Sequence, residues 1–234
     1  MQTLLAIECS SHVNAVAYFA DIDRPDEWVG EVSRQDPKAS AWLLPAIERV
    51  LANANANRTE VKIVAFGAGP GSFTGVRTAC ATAQALAYLW QASLIGVDCL
   101  EALAEASGLA HIDVVLDARM NELYSASFAR SFATSPSGEL MRISGTALVS
   151  TSAFAAREGA TLLGSGAYLV ASASAEATVA AEDHWAYGVA RVAIKKLAKG
   201  ELTDPKCAEP IYVRNNVAQT EAQRAAIALA GGRA

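Results

Sequence analysis

The chain has 234 residues, 52% of them hydrophobic and 18% charged, with a formal net charge of -5. This length, as one large domain or two small ones, can fold without metals or disulfides, and the acidic balance argues against a stand-alone nucleic-acid binder, which presents a basic face. The four cysteines, Cys9, Cys80, Cys99 and Cys207, lie far apart with no CxxC pair, so they predict reduced thiols in a cytoplasm rather than a zinc knuckle or a disulfide framework.

The opening residues MQTLLAIECSS lack a basic start and turn polar early, so they read as a first strand rather than a signal peptide. Residues 3–8 and 13–20, joined by CSSH, predict a hairpin, and Trp28–Arg34 a third strand. Asp36 and Pro37 then supply an N-cap and a first-turn proline. KASAWLLPAIERVLANA sets Leu43, Ile47, Val50 and Ala54 on one helical face, with a bend expected at Pro45. Val61–Gly67 predicts a strand, and VRTACATAQALAYLW a long helix whose alanines leave it thin enough for other helices to approach closely. Ser93–Asp98 reads as a strand and LEALAEAS as a short helix.

Beyond His111 the pattern restarts with IDVVLDARMNELYSASFA. A shift of 109 residues places Glu8 on Asp117, Phe19 on Phe128 and Ala20 on Ala129, which predicts two related α/β halves, 1–105 and 106–216, facing each other. LLGSGAYLV then gives a strand and turn. EDHWAYGVARVAIKKLAKGE gives a helix with acids first, lysines last and Gly200 as its stop. Residues 217–234 read as a frayed helix or a disordered tail. No run reaches the roughly 18 apolar residues of a membrane span.

The stretch GAGPGSFTGVR, Gly67 to Arg77, has the look of a phosphate cradle or a nucleophile turn and matches neither. A Walker loop needs a lysine and a hydroxyl after its last glycine, and Gly75 is followed by Val76 and Arg77. The third position of GxGxxG is filled by Ser72 or Thr74, and Ser72 directly follows Gly71, which breaks GxSxG. His12, His111 and His184 belong to no catalytic pattern, and there is no HExxH or HxxxH pair to hold a metal. What remains is a tight strand-to-helix turn capped by Ser72 or Thr74, with N–H groups still able to hold an anion weakly.

In actin-like and sugar-kinase folds an acid ends the first strand of each half and orients metal-bound phosphates across a cleft. Glu8 and Asp117 stand at such positions, but Cys9, Ser10, Ala118 and Arg119 replace the small residues that let backbone N–H groups reach phosphate. Glu8, Ser10, Asp117 and Arg119 therefore read as a vestigial nucleotide cleft. GPGSFTGVR, DARMNELY (Asp117 to Tyr124) and EPIYVRNNV (Glu209 to Val217), in that order and spacing, resemble the bacterial TsaB (YeaZ) family of tRNA threonylcarbamoyladenosine biosynthesis.

The resemblance implies a two-lobed actin-like α/β fold and a non-catalytic subunit. Its partners would be the catalytic subunit TsaD and the small ATPase TsaE, in transfer of a threonylcarbamoyl group to N6 of adenosine 37 of tRNAs reading codons that begin with A. It implies no intrinsic cofactor, ATP or ADP only at a composite site in the complex, contact with tRNA through the complex, and self-association when the partner is absent. TsaD holds a metal through an HxxxH pair on its first long helix; here that helix reads KASAWLLPAI, with no histidine. The partner contact would use the two first-lobe helices, 37–54 and 73–90, with Trp42, Leu43, Leu44, Ile47, Phe73, Val76, Arg77 and Cys80 as the contact residues. A different reading, an actin-like ATPase or small-molecule phosphotransferase using Glu8 and Asp117, stays open at this point. Nothing in the residues supports peptide hydrolysis.

Overall fold

In the computed structural model, which describes residues 1–33, 38–133, 138–170 and 184–214, the apolar runs pair into two five-stranded sheets. The first has the order β3-β2-β1-β4-β5, from β1 (Leu4–Glu8), β2 (Asn14–Phe19), β3 (Trp28–Ser33), β4 (Ile63–Gly69) and β5 (Ser93–Asp98). The β1, β2 and β3 ladders are antiparallel, whereas β4 and β5 run parallel to β1. Every residue of β1, β2 and β4 is buried, as expected for strands covered on both faces.

The second sheet has the order β10-β6-β7-β8, with β9 also pairing with β7. Its strands are β6 (His111–Arg119), β7 (Glu122–Ser131), β8 (Glu139–Arg142), β9 (Ala147–Ser150) and β10 (Thr161–Leu163). The short strands β8 and β9 were not legible in the sequence. Their residues are all exposed or half-buried, so no buried apolar face marks them.

Among the described residues, four α-helices complete four layers. On the outer side of the first sheet, α1 (Ala39–Asn53) and α2 (Phe73–Trp90) cover Leu5, Ile7, Val64 and Phe66. On its inner side, α3 (Cys99–Ser107) and α4 (Trp185–Ala198) fill the space between the sheets, against Leu4 and Ala6 of β1 and Ile112, Val114 and Phe128 of the second sheet. Trp185 is fully buried there and donates from Nε1 to the Cys99 carbonyl at 3.0 Å. Gly188 allows α4 to cross α3 closely, since a Cβ on it would stand 2.0 Å from the Ala102 carbonyl oxygen.

Several boundaries differ from the sequence reading. The third strand is present as Trp28–Ser33, and Arg34 lies outside the described residues. β4 starts and ends two residues later than expected, because Gly67 and Gly69 continue the ladder opposite Val97 and Asp98. Helix α1 runs unbroken through Pro45, and its cap residue is Lys38, without a side-chain bond. The two related hairpins are present as β1–β2 and β6–β7, but their registers differ by one residue: Glu8 faces Ala15, whereas Asp117 faces Leu123. The helix α4 and the chain that follows it return to the first sheet, with Thr203 bonded to Leu94 and Ile211 to Ala68. The expected cap at Asp36–Pro37, the acids Glu182 and Asp183, the end of the third motif at Asn215–Val217, and the tail lie outside the described residues.

Candidate functional site

The loop from β4 to α2 is built on the turn that follows β1. Ser72 N donates to the Ser10 carbonyl at 2.6 Å, and Cβ atoms at Gly71 and Gly75 would fall 2.4 Å from the Ser10 carbonyl oxygen and 1.7 Å from that of Cys9. These two positions admit only glycine because the neighbouring backbone fills the space a side chain would take. The Ser72 hydroxyl accepts from Gly75 N at 3.5 Å and caps α2. The loop thus packs backbone against backbone where a phosphate loop would leave room for its ligand.

The two carboxylates at the hairpin ends have opposite surroundings. Glu8 is fully buried; it accepts from Ser10 N and from the Cys99 thiol at 3.2 Å, and Gly67 leaves room for it, since a Cβ there would stand 2.0 Å from Oε2. Burial raises its pKa above the ordinary 4.5, against the lowering effect of these bonds, and also pushes the adjacent Cys9 and Cys99 thiols up. The buried Ser10 hydroxyl makes no hydrogen bond of good geometry. Asp117 is half-buried and held by its own turn: it accepts from Arg119 N at 2.7 Å and pairs with the exposed Arg119 guanidinium at 3.0 Å. Arg119, Met120 and Asn121 all have positive φ, which fixes that turn tightly.

Between the lobes lies a cleft of about 690 Å³, walled by Ser10, Ser72 and Phe73 on one side and Asp117, Arg119 and Tyr168 on the other. Glu8 does not line it. The carboxylate expected across from Asp117 is buried and bonded to Ser10 N, so of the two acids only Asp117 reaches the cleft.

Residues 211–214 cross the mouth of this cleft. Ile211 N donates to the Ala68 carbonyl at 2.7 Å, and the Tyr212 hydroxyl accepts from Arg77 Nε at 2.9 Å. Arg214 then donates to the Ala118 carbonyl at 3.0 Å and to the Glu122 carboxylate, in the second lobe. Loop, turn and crossing segment belong to the three motifs of the sequence, which therefore meet at one place.

A second feature is the outer face of α1 and α2. Leu44, Phe73, Tyr88 and Leu89 are 52%, 48%, 74% and 71% exposed, among exposed Ala41, Pro45, Ala81 and Ala85. Scattered apolar side chains are ordinary on a surface; these stand on the exposed sides of two helices that cover the same sheet. Among the described residues no helix is long and apolar enough to cross a membrane, and no group of three or more His, Cys, Asp or Glu residues could hold a metal.

A family model described as TsaD: tRNA N6-adenosine threonylcarbamoyltransferase matches residues 35–222. The tRNA threonylcarbamoyladenosine biosynthesis protein TsaB of Escherichia coli is 30% identical over 194 residues, covering 75% of this chain and 80% of that relative. The chain belongs to the TsaB (YeaZ) family. The TsaB of Haemophilus influenzae is 33% identical over 144 residues; that match takes in 60% of this chain and 59% of the relative, so it spans less than two thirds of the relative's length. The solved structure of YeaZ from Pseudomonas aeruginosa superposes with a TM-score of 0.74 at 26% identity, over 91% of this chain and 100% of that one. The two-sheet α/β architecture and these neighbours fit the actin-like fold.

For a TsaB-family chain, the eight expected contact residues divide evenly. Leu43, Ile47, Val76 and Cys80 are buried in the chain's own core, so they support the helices without presenting a surface. Leu44, Phe73 and Arg77 face outward, and Trp42 is half-buried against the core. Tyr88 and Leu89 were missed, although they continue the helical row Phe73, Arg77, Ala81, Ala85 and so were open to recognition. Tyr212 and Arg214 stood inside a quoted motif, but nothing local assigns them a place: their partners lie 135 and 96 residues away.

Proposed function

We propose that this chain is a non-catalytic accessory subunit that supports threonylcarbamoyl transfer to N6 of adenosine 37 in tRNAs reading codons that begin with A, by docking on TsaD through the outer face of α1 and α2. The observation that carries this reading is the exposed row of Leu44, Phe73, Tyr88 and Leu89 beside small alanines, a surface shaped to receive other helices closely. The cleft supports it from the other side. Glu8 is enclosed beneath Ser10, and Asp117 is engaged by Arg119, so neither is free to orient a nucleotide's metal.

In this reading the protein works in the cytoplasm with TsaD and TsaE, and reaches tRNA only through them. It pairs with a second copy when TsaD is absent, and ATP or ADP binds only where the assembled subunits complete a site. Co-purification with TsaD, followed by measurement of size and nucleotide content, tests it; a chain that stays apart from TsaD, or whose gene deletion leaves threonylcarbamoyladenosine at normal levels, sinks it. Tight binding of ATP and magnesium by the isolated chain, lost in Asp117→Asn, would turn the reading to a phosphotransferase.

A further inference from the structure

Arg77 is the single charged residue among the 18 of α2. Its guanidinium carbon lies 3.4 Å from the centre of the Phe73 ring and 5.5 Å from that of Tyr212, and its Nε donates to the Tyr212 hydroxyl at 2.9 Å. The two rings themselves stand 6.4 Å apart. An exposed arginine is ordinarily free to sample many rotamers, and ordering it on binding opposes association. Here the aromatic pair has fixed the plane beforehand, and the terminal nitrogens carry no hydrogen bond among the described residues.

Two exposed acids lie near this face, Glu209, which acts on Cys80 one turn along α2, and Glu48 on α1, but neither bonds Arg77 among the described residues. The first turn of α2 holds no acid, so the partial positive charge of the helix N-terminus adds to the guanidinium. The cation of the neighbouring helix, Arg49, is occupied by a two-pronged pair with Glu31 at 2.9 and 2.6 Å. Around Arg77 the outward row is apolar: Phe73, Ala81, Ala85, Tyr88 and Leu89. A partner that covered the guanidinium with apolar groups would strand a desolvated charge.

We propose that Arg77 is the ionic anchor of the docking face, and that the protein docked there sets an Asp or Glu carboxylate, projecting from an apolar surface, against its terminal nitrogens. Phe73 and Tyr212 are positioning residues that hold the guanidinium for this pair. The chemistry favours a single carboxylate over a nucleic-acid backbone, because phosphate tracks are bound by several cations together, and this face offers one on a chain of net charge -5. The planar fork of arginine matches a carboxylate in two parallel hydrogen bonds.

This inference rests on the reading of the face as the TsaD site, and the experiment separates the two. The full chain is titrated calorimetrically with TsaD of the same organism at low and high salt, using Arg77→Ala, Arg77→Lys, Tyr212→Phe and Leu89→Asp, each first shown to melt like the parent. Arg77→Ala is expected to weaken binding about 30-fold or more and to flatten its salt dependence. Arg77→Lys restores only part of the affinity, and Tyr212→Phe, which leaves the charge in place, weakens binding about 3- to 10-fold. Arg77→Glu is rescued by changing one acid of TsaD to lysine. If Leu89→Asp abolishes binding and Arg77→Ala does not alter it, the face stands and the anchor is wrong; if neither matters, the docking reading fails. A loss in Arg77→Ala confined to tRNA binding, or confined to self-association, also overturns the anchor by assigning it a phosphate or a second copy.

Discussion

The inner and outer helical layers are built from similar alanine-rich sequence and end in different circumstances. No residue of α3 is exposed, and in α4 only Ala198 is, because a sheet lies on either side of them. The outer pair, α1 and α2, packs on one sheet and leaves its other side open, with Phe73, Tyr88 and Leu89 in water. Small residues bring helices close in both cases. In the inner layer the close neighbour is supplied by the same chain, at Gly188 on Ala102; in the outer layer the alanines at 81 and 85 are exposed among the described residues. The composition of a helix shows how near a neighbour can come, and the topology decides whether that neighbour is already present.

The largest break in this comparison is expected from Trp185→Ala. Emptying the fully buried ring site and orphaning the Cys99 carbonyl costs about 3–5 kcal/mol by chemical denaturation. Gly188→Val follows, since its side chain must displace Ala102 backbone, with a loss of about 1–3 kcal/mol or failure to fold. The matching change outside, Ala85→Val, should move stability by no more than about 0.5 kcal/mol. Equal losses at Gly188 and Ala85 would show that the two layers do not differ as described.

Glu8→Gln sharpens the comparison where α3 begins, because Cys99 opens that helix and donates to Glu8. The folded protein holds the Glu8 proton more tightly than the unfolded chain does. Its stabilisation is therefore complete below pH 4.5 and is lost as pH rises through the raised folded value. As pH rises above 4.5, melting of the parent should fall more steeply than melting of Glu8→Gln. Parallel profiles would mean that the carboxylate is hydrated in solution. The smallest effect on stability is expected for Leu89→Asp, within about 0.5 kcal/mol by thermal melting, while binding to TsaD disappears.

Much of the first sheet and all four helices were legible, because Leu43, Ile47 and Val50 repeat at helical spacing and the strands are apolar runs bounded by glycine or polar turns. Adjacent residues of like chemistry were harder. Leu43 is buried and Leu44 is half in water, and only the direction of α1 over the sheet separates them. Gly69 lay outside the strand expected at Val61–Gly67 because its pairing with Asp98 joins distant segments. The cleft was anticipated from Glu8 and Asp117, yet a one-residue difference between the hairpins and the inward aim of Glu8 part them. The segment 211–214 has no periodicity, and its meaning lies in what it touches.

That segment also sets an order of events. Both sheets are complete in the nascent chain by residue 163, but the inner helix with Trp185 and the crossing at 211–214 emerge later. Since domains commonly fold as they leave the ribosome, the lobes can form their ladders and join through Arg130–Glu105 and Arg142–Glu101 before α4 and the crossing segment brace them. The Phe73–Arg77 end of the proposed docking face would then gain its Tyr212 support only after both sheets and the inner helices have been made, which delays a finished surface until the core beneath it is there to carry it.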